Sequence, residues 1–274
     1  MPTEVITFHR MLEGCIRNEF KFWQFFTSAY AALAQHLIQK HFGSFKIDTE
    51  PLLREIFESI NENDNFFLKE FSGSSEREFL IYFREKVFAT ARKHLTGEGE
   101  QSVLEIETLN RLFQNVLLAH QEVAWLVMKS YEDGEINKIL RVPLSLVQTG
   151  RNEVLKKHAQ VFGHHDSNLF RLKDRVLQQI ETQRGPNCTG IKIISDVVDG
   201  RIAWRDKTNI ENHLSQCLYC LNRETALKEA IFYLRELSPL PAEVHQSLLK
   251  NIKLGNQKEP IKSSLLARVM KVFK

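Results

Sequence analysis

The chain has 274 residues, of which 43% are hydrophobic and 26% charged, with a formal net charge of +3. That composition is ordinary globular protein and excludes a disordered or fibrous chain, and the length is enough for two or three small domains. The small positive charge does not by itself demand a nucleic-acid partner. No apolar run reaches bilayer length and the first residues lack a signal-peptide pattern, so a cytoplasmic protein with no membrane span is expected.

Apolar residues recur at helical spacing from the start. Phe20, Trp23, Phe26, Tyr30, Leu33, Leu37 and Ile38 step by threes and fours, the mark of one buried helix face. Leu52, Leu53, Ile56, Phe57 and Ile60 repeat the period behind Pro51, which sits near the helix start where a missing N–H costs least. Phe79, Phe83 and Val87 predict a third helix, and no alternating strand signal appears, so the fold class is all-α. Residues 1–96 read as one helical domain. The run Thr96-Gly97-Glu98-Gly99-Glu100 breaks the pattern and opens a linker over 97–108.

Residues 109–162 have the layout of a helix-turn-helix. Glu135 to Leu140 form one helix, Arg141-Val142-Pro143 the turn, and Leu144 to Thr149 the start of the second, with Ile136, Ile139 and Leu140 packing on Leu144 and Val147. Between Lys138 and Arg175 there are eight basic residues against three acidic, the excess that phosphate contact requires. Between Asp48 and Glu85 the balance reverses to ten acidic and four basic, which suits a protein-docking face. Residues 163–185 read as a helical connector. His164-His165-Asp166 has no nearby group to complete a metal or catalytic set and reads as a polar loop cap.

Residues 186–237 hold the most specific pattern, Cys188, His213, Cys217 and Cys220, spaced C-x24-H-x3-C-x2-C. Three thiolates and an imidazole suit Zn2+, and four such ligands close a tetrahedron without leaving a place for water. A helix over Ile210 to Leu221 would put His213 and Cys217 on one face with Cys220 three residues on, while Gly185, Pro186 and Gly190 supply irregular backbone around Cys188. The plainer alternative is a helix that buries one His and two Cys as packing. Three of only four cysteines joining the pattern favours metal. Cys15, the fourth, is expected to be a buried packing residue. The remainder, 238–274, is a basic tail with seven basic and two acidic residues after Pro241, ending in the amphipathic stretch Ser264 to Phe273. No phosphate loop, nucleophile elbow or distinctive carboxylate pair is present, so no enzyme activity is expected.

Three segments resemble known families. Asp48-Thr49-Glu50-Pro51-Leu52-Leu53-Arg54-Glu55-Ile56-Phe57 is similar to the "DAEDLVQEVF" helix of region 2 in sigma-70 factors of the extracytoplasmic-function (ECF) class. Phe79 to Ala89 is similar to the following "F-x-x-WL…iArN" helix, which in that family helps read and open the −10 element. Gln121 to Leu126 and Glu135 to Asn152 resemble region 4, "QREVFLL" and "EIAEILGVSVGTVKSRLHRA", with Arg141 where the turn glycine is usual and Gly150 inside the second helix. The resemblance implies that Asp48, Glu50, Leu53, Arg54 and Phe57 contact core RNA polymerase. It also implies that Leu144, Ser145, Leu146, Gln148, Thr149, Arg151 and Asn152 face the −35 major groove of promoter DNA, where Gln and Asn can pair with adenine and Arg with guanine. Ser195 to Ile202 and Glu211 to Cys220 resemble the zinc-binding anti-sigma domain, whose ligand set matches Cys188, His213, Cys217 and Cys220. Taken in chain order, the expectation is an ECF-like sigma factor with a fused zinc-binding domain that docks on and restrains the rest. A regulator of DNA or protein binding that has lost initiation, keeping the zinc site as structure, is the alternative.

Overall fold

Apolar side chains spaced by three and four become helices in every stretch where the pattern is sustained. The computed structural model describes residues 6–45, 47–95, 105–162, 172 and 174–252. Among them there are thirteen α-helices, one 3-10 turn and no strand, an all-α fold. Most of the expected linker 97–108, the His164-His165-Asp166 triplet, and the tail beyond residue 252 lie outside the described residues.

The first four helices are α1 (Phe8–Ile16), α2 (Phe20–Phe42), α3 (Thr49–Glu70) and α4 (Glu76–Arg92). The next four are α5 (Ile106–Phe113), α6 (Leu118–Met128), α7 (Asp133–Leu140) and α8 (Leu144–Phe162). They are followed by α9 (Asp174–Thr182), α10 (Ile191–Val198), α11 (Trp204–Leu214), α12 (Leu218–Glu236) and α13 (Ala242–Asn251). The chain forms two compact units, one holding the described residues up to 95 together with those from Tyr233 onward, the other those from 105 to Phe232. The segments read as a helix-turn-helix and, up to Phe232, as a zinc domain therefore belong to the same unit.

The first unit is built around the aromatic stripe of α2. The Phe26 ring centroid lies 4.9 Å from Tyr30, 5.4 Å from Trp23, 6.0 Å from Phe57 and 5.9 Å from Phe79, mostly edge to face, the arrangement that ring quadrupoles favour. Polar tips inside this core are satisfied: Trp23 Nε1 donates to the Cys15 carbonyl at 3.1 Å and the Tyr30 hydroxyl to Glu76 Oε1 at 2.8 Å. Cys15 is fully buried, as expected of a packing residue. Asp48 caps α3, its carboxylate accepting from the Glu50 N–H. Ser75 and Glu78 cap α4 through bonds from the Glu78 N–H to Ser75 Oγ and from the Ser74 N–H to Glu78 Oε2.

Two features here were not predicted. Helix α3 is interrupted, because Asn63, Asp64 and Asn65 all take left-handed backbone with φ of 50°, 58° and 60°. Asn and Asp tolerate that region better than other residues with a Cβ. The turn aims the buried Asn65 amide at the end of α1, where Nδ2 lies 3.2 Å from the carbonyls of both Cys15 and Ile16 and 3.0 Å from Asn18 Oδ1, while Asn61 Nδ2 donates to Asn65 Oδ1 at 2.9 Å. The second is α13, which packs on α2 and α3. His245 Nε2 reaches Thr27 Oγ1 at 2.7 Å and the Gln24 carbonyl at 3.3 Å, and Tyr233 stacks on His36 with centroids 3.6 Å apart.

The Asn65 network yields a stability prediction. Asn65→Ala would remove the amide that donates to the Ile16 carbonyl and ties Asn61 to Asn18, while keeping a left-handed residue that Ala adopts less readily, so it is expected to cost about 3 kcal/mol of unfolding free energy in urea titration.

Candidate functional site

The four metal-pattern residues come together in the second unit, by a route that differs from the expected one. No continuous helix covers Ile210 to Leu221. Helix α11 ends at Leu214, the chain turns through Ser215 and Gln216, and α12 begins at Leu218. His213 is thus in the last turn of α11, Cys217 sits just before α12, and Cys220 is in its first turn. The corner lets all three ligands point to one spot, whereas in a straight helix residues seven apart stand two turns from each other. Cys188 arrives on a turn closed by the bond from its own N–H to the Gly185 carbonyl at 3.1 Å, and the Gly185 N–H in turn reaches Cys188 Sγ at 3.2 Å.

The donor atoms of Cys188, His213, Cys217 and Cys220 all lie within 4.8 Å of one another, so the cluster can hold a metal ion. Cys188 Sγ is 3.7 Å from Cys217 Sγ, and His213 Nε2 is 3.2 Å from Cys220 Sγ. A tetrahedral ion with sulfur at about 2.3 Å separates neighbouring sulfurs by about 3.8 Å, so these spacings match the edges of such a site. The thiols also share protons in a way that suits a cation. A hydrogen bond from the Cys220 thiol, opposed by burial, draws Cys217 down to about 5, and the same contact together with burial pushes Cys220 up. An ion held by these residues would take the place of the thiol protons.

Helices α7 and α8 are joined by the short turn 141–143 and pack on each other. Arg141, in the place of a glycine, takes left-handed backbone with φ 56° and closes α7. The turn is held by the Val142 N–H on the Asn137 carbonyl at 3.2 Å and the Asn137 amide on the Val142 carbonyl at 2.5 Å. Ile136, Ile139, Leu140 and Val147 are buried as expected, but Leu144 is 45% exposed. Gly150 explains itself: a Cβ there would come within 3.2 Å of His120 Cα and Val123 Cβ, so its absence lets α8 cross α6 closely.

Of the residues expected to face DNA, Leu144, Ser145, Gln148, Thr149 and Asn152 are exposed on one side of α8 and Leu146 is half-buried. The Thr149 hydroxyl donates to the Ser145 carbonyl at 2.8 Å. Arg151 is not free: its guanidinium binds Asp133 at the start of α7, with Nε 2.8 Å from Oδ1. Lys157 likewise donates to the Gln114 carbonyl, while Lys138, Arg141 and Lys156 are exposed. In the first unit Asp48 and Glu50 are exposed and Arg54 is half-buried, but Leu53 and Phe57 are 0% and 1% exposed. Their apolar side chains complete the α2–α3–α4 core, and the expectation of a docking surface at those two positions is replaced by packing.

Sequence reading missed what surrounds α6, whose residues 121 to 126 are all buried. The Gln121 amide donates to the Ser215 carbonyl at 3.1 Å, and Asn222 Oδ1 accepts from Trp125 Nε1 at 3.2 Å and Lys129 Nζ at 3.1 Å. Lys228 Nζ bridges Glu122 Oε1 at 2.6 Å and Glu224 Oε1 at 3.0 Å, and the Tyr131 hydroxyl donates to Glu229 Oε1 at 2.5 Å. Burial, reinforced by Glu224 and opposed by Lys228, pushes the Glu122 carboxyl up to about 8. The signal in the sequence was polar residues interrupting an otherwise apolar helix.

Two predictions arise here. Metal analysis of protein purified under reducing conditions should find one ion per chain, and Cys217→Ser should release it. The unfolded chain releases the Glu122 proton near 4.5 and the folded chain near 8, so folding takes up a proton between those values. Stability from this group therefore declines as pH rises through that window and is flat above it. Glu122→Gln, always neutral, should raise the melting temperature at pH 8 and change it less at pH 5. No family model, curated protein or solved structure matches the chain.

Proposed function

We propose that the chain is an ECF-like sigma factor that binds core RNA polymerase and promoter DNA, with a zinc ion at Cys188, His213, Cys217 and Cys220. The observation that carries this reading is the α7–α8 helix-turn-helix, which presents Leu144, Ser145, Gln148, Thr149 and Asn152 on an open face beside exposed Lys156. The exposed acidic residues Asp48 and Glu50 at the start of α3, with Arg54 half-exposed one turn on, are the proposed polymerase contacts. Zinc is favoured because three sulfurs and one imidazole nitrogen match its donor preference. When bound it ties the Cys188 turn to the α11–α12 corner, and with four protein ligands it leaves no position for substrate. Its role is therefore structural or regulatory rather than catalytic, and restraint of the other elements by the metal-bearing segment is part of the proposal.

Two observations favour a second reading, a regulator that binds DNA or protein without initiating. Leu53 and Phe57 are in the core rather than on a docking surface, and Arg151 is already paired with Asp133. Transcription of a promoter library by core polymerase, with and without the protein, separates the two. Promoter-selective initiation supports the sigma reading; stable polymerase or DNA binding with no initiation supports the regulator.

A base contact from α8 has its own signature. Gln148→Ala is expected to cost about 1–3 kcal/mol of specific binding and relax preference at one position, whereas Lys156→Ala weakens all sequences alike and lowers the salt dependence. Competition binding against a randomised duplex pool checks both, and equal sequence-independent losses from the two would mean phosphate contact only.

A further inference from the structure

We propose that metal binding at Cys188, His213, Cys217 and Cys220 is coupled to the stability of α8, with α6 as the connecting element. The coupling rests on the metal-site reading alone and holds whether or not α8 touches DNA.

On one side, α6 is bonded to the corner that carries the ligands. The Ser215 carbonyl, which accepts from Gln121, lies in the turn between His213 and Cys217. Asn222, which accepts from Trp125 and Lys129, is two residues past Cys220. On its other side α6 meets α8, where Gly150 sits against His120 and Val123 and His120 Nδ1 lies 2.5 Å from Glu153 Oε2. His120 and Gln121 are neighbours in the chain. A movement of the Ser215 turn that draws on Gln121 therefore displaces the backbone against which Gly150 is packed, and a crossing so close that a Cβ on Gly150 would lie 3.2 Å from His120 Cα leaves little room to absorb it.

The bonded groups have no substitute partner in water, since Gln121, Trp125 and Lys129 are 1%, 0% and 6% exposed. Losing the Asn222 oxygen takes an acceptor from Trp125 Nε1 and Lys129 Nζ, and losing the Ser215 carbonyl takes one of three from the Gln121 amide, which also donates to Phe113 and Val116; bonds lost at this depth cost more than surface ones. Without an ion, the ligand corner is held by thiol and imidazole contacts and the Gly185–Cys188 turn. With one, ligand binding energy becomes folding energy for the corner, and so for the acceptors it presents to α6. Linkage makes the effect reciprocal: metal that favours the ordered corner stabilises α6 and α8, and an ordered α6–α8 pair tightens metal binding.

Hydrogen exchange of the full chain, zinc-loaded and after chelation under reducing conditions, tests this. Amides of α6 and α8 should exchange about tenfold more slowly with zinc bound, while those of α2 and α4 serve as the internal reference. Asn222→Ala keeps all four ligands and should still bind zinc but show a smaller difference in α8; should it fail to fold, Gln121→Ala, which removes the amide's bonds to the Ser215, Phe113 and Val116 carbonyls, takes its place. Equal exchange in α8 with and without zinc, alongside a change confined to residues 185–220, would show an autonomous metal module and overturn the coupling. A chain that binds no zinc overturns the metal-site reading as well, and metal analysis of the same sample distinguishes the two failures.

Discussion

Helix α6 is enclosed by protein through six consecutive residues, and that enclosure organises the whole of the second unit. A helix buried all round must have every polar side chain answered by another side chain or a carbonyl, because water is not at hand. Gln121, Glu122, Trp125 and Lys129 find their answers on residues 215 to 228. Helices α7 and α8 and the corner that carries the Cys/His cluster consequently lie in one compact unit. The arrangement carries a liability, since burial holds the Glu122 proton far up the scale and Glu224, which shares the single ammonium of Lys228 with it, adds to the shift.

The metal corner obeys a different constraint. Four sulfur and nitrogen donors around one ion would stand at the corners of a tetrahedron, which no single helical face provides for ligands seven residues apart. Breaking the helix at Ser215 and Gln216 solves this, and it also exposes the Ser215 carbonyl to which Gln121 is bonded. The same break places Cys217 at the beginning of α12, where unpaired backbone N–H groups favour a thiolate.

The helical character of the chain was legible because its core side chains repeat by threes and fours, as at Phe26, Tyr30, Leu33 and Leu37 of α2. The Cys/His cluster that can hold an ion was legible for another reason: Cys and His are scarce, and their spacing carries information that Leu or Lys spacing does not. Features that depend on what faces a residue across space were not legible. Leu53 and Phe57 have the same local pattern whether they meet solvent or α2, and only the assembled bundle buries them. Arg151 looks free in the sequence until α7 brings Asp133 beside it. The left-handed run at Asn63 to Asn65 brings the Asn65 amide to the carbonyls of Cys15 and Ile16, partners almost fifty residues upstream that no local pattern announces.

The division of the chain has a consequence for biosynthesis. The second unit is continuous in sequence, whereas the first is closed by α13, whose His245 reaches back across 218 residues to Thr27. During translation the ribosome releases every residue of the second unit before it releases α13. Helices α1 to α4 emerge before the second unit but must wait, with the Thr27 face of α2 uncovered, until α13 follows it. A unit begun before the second is thus completed only after it, and a nascent-chain binding factor would find a long-lived target there.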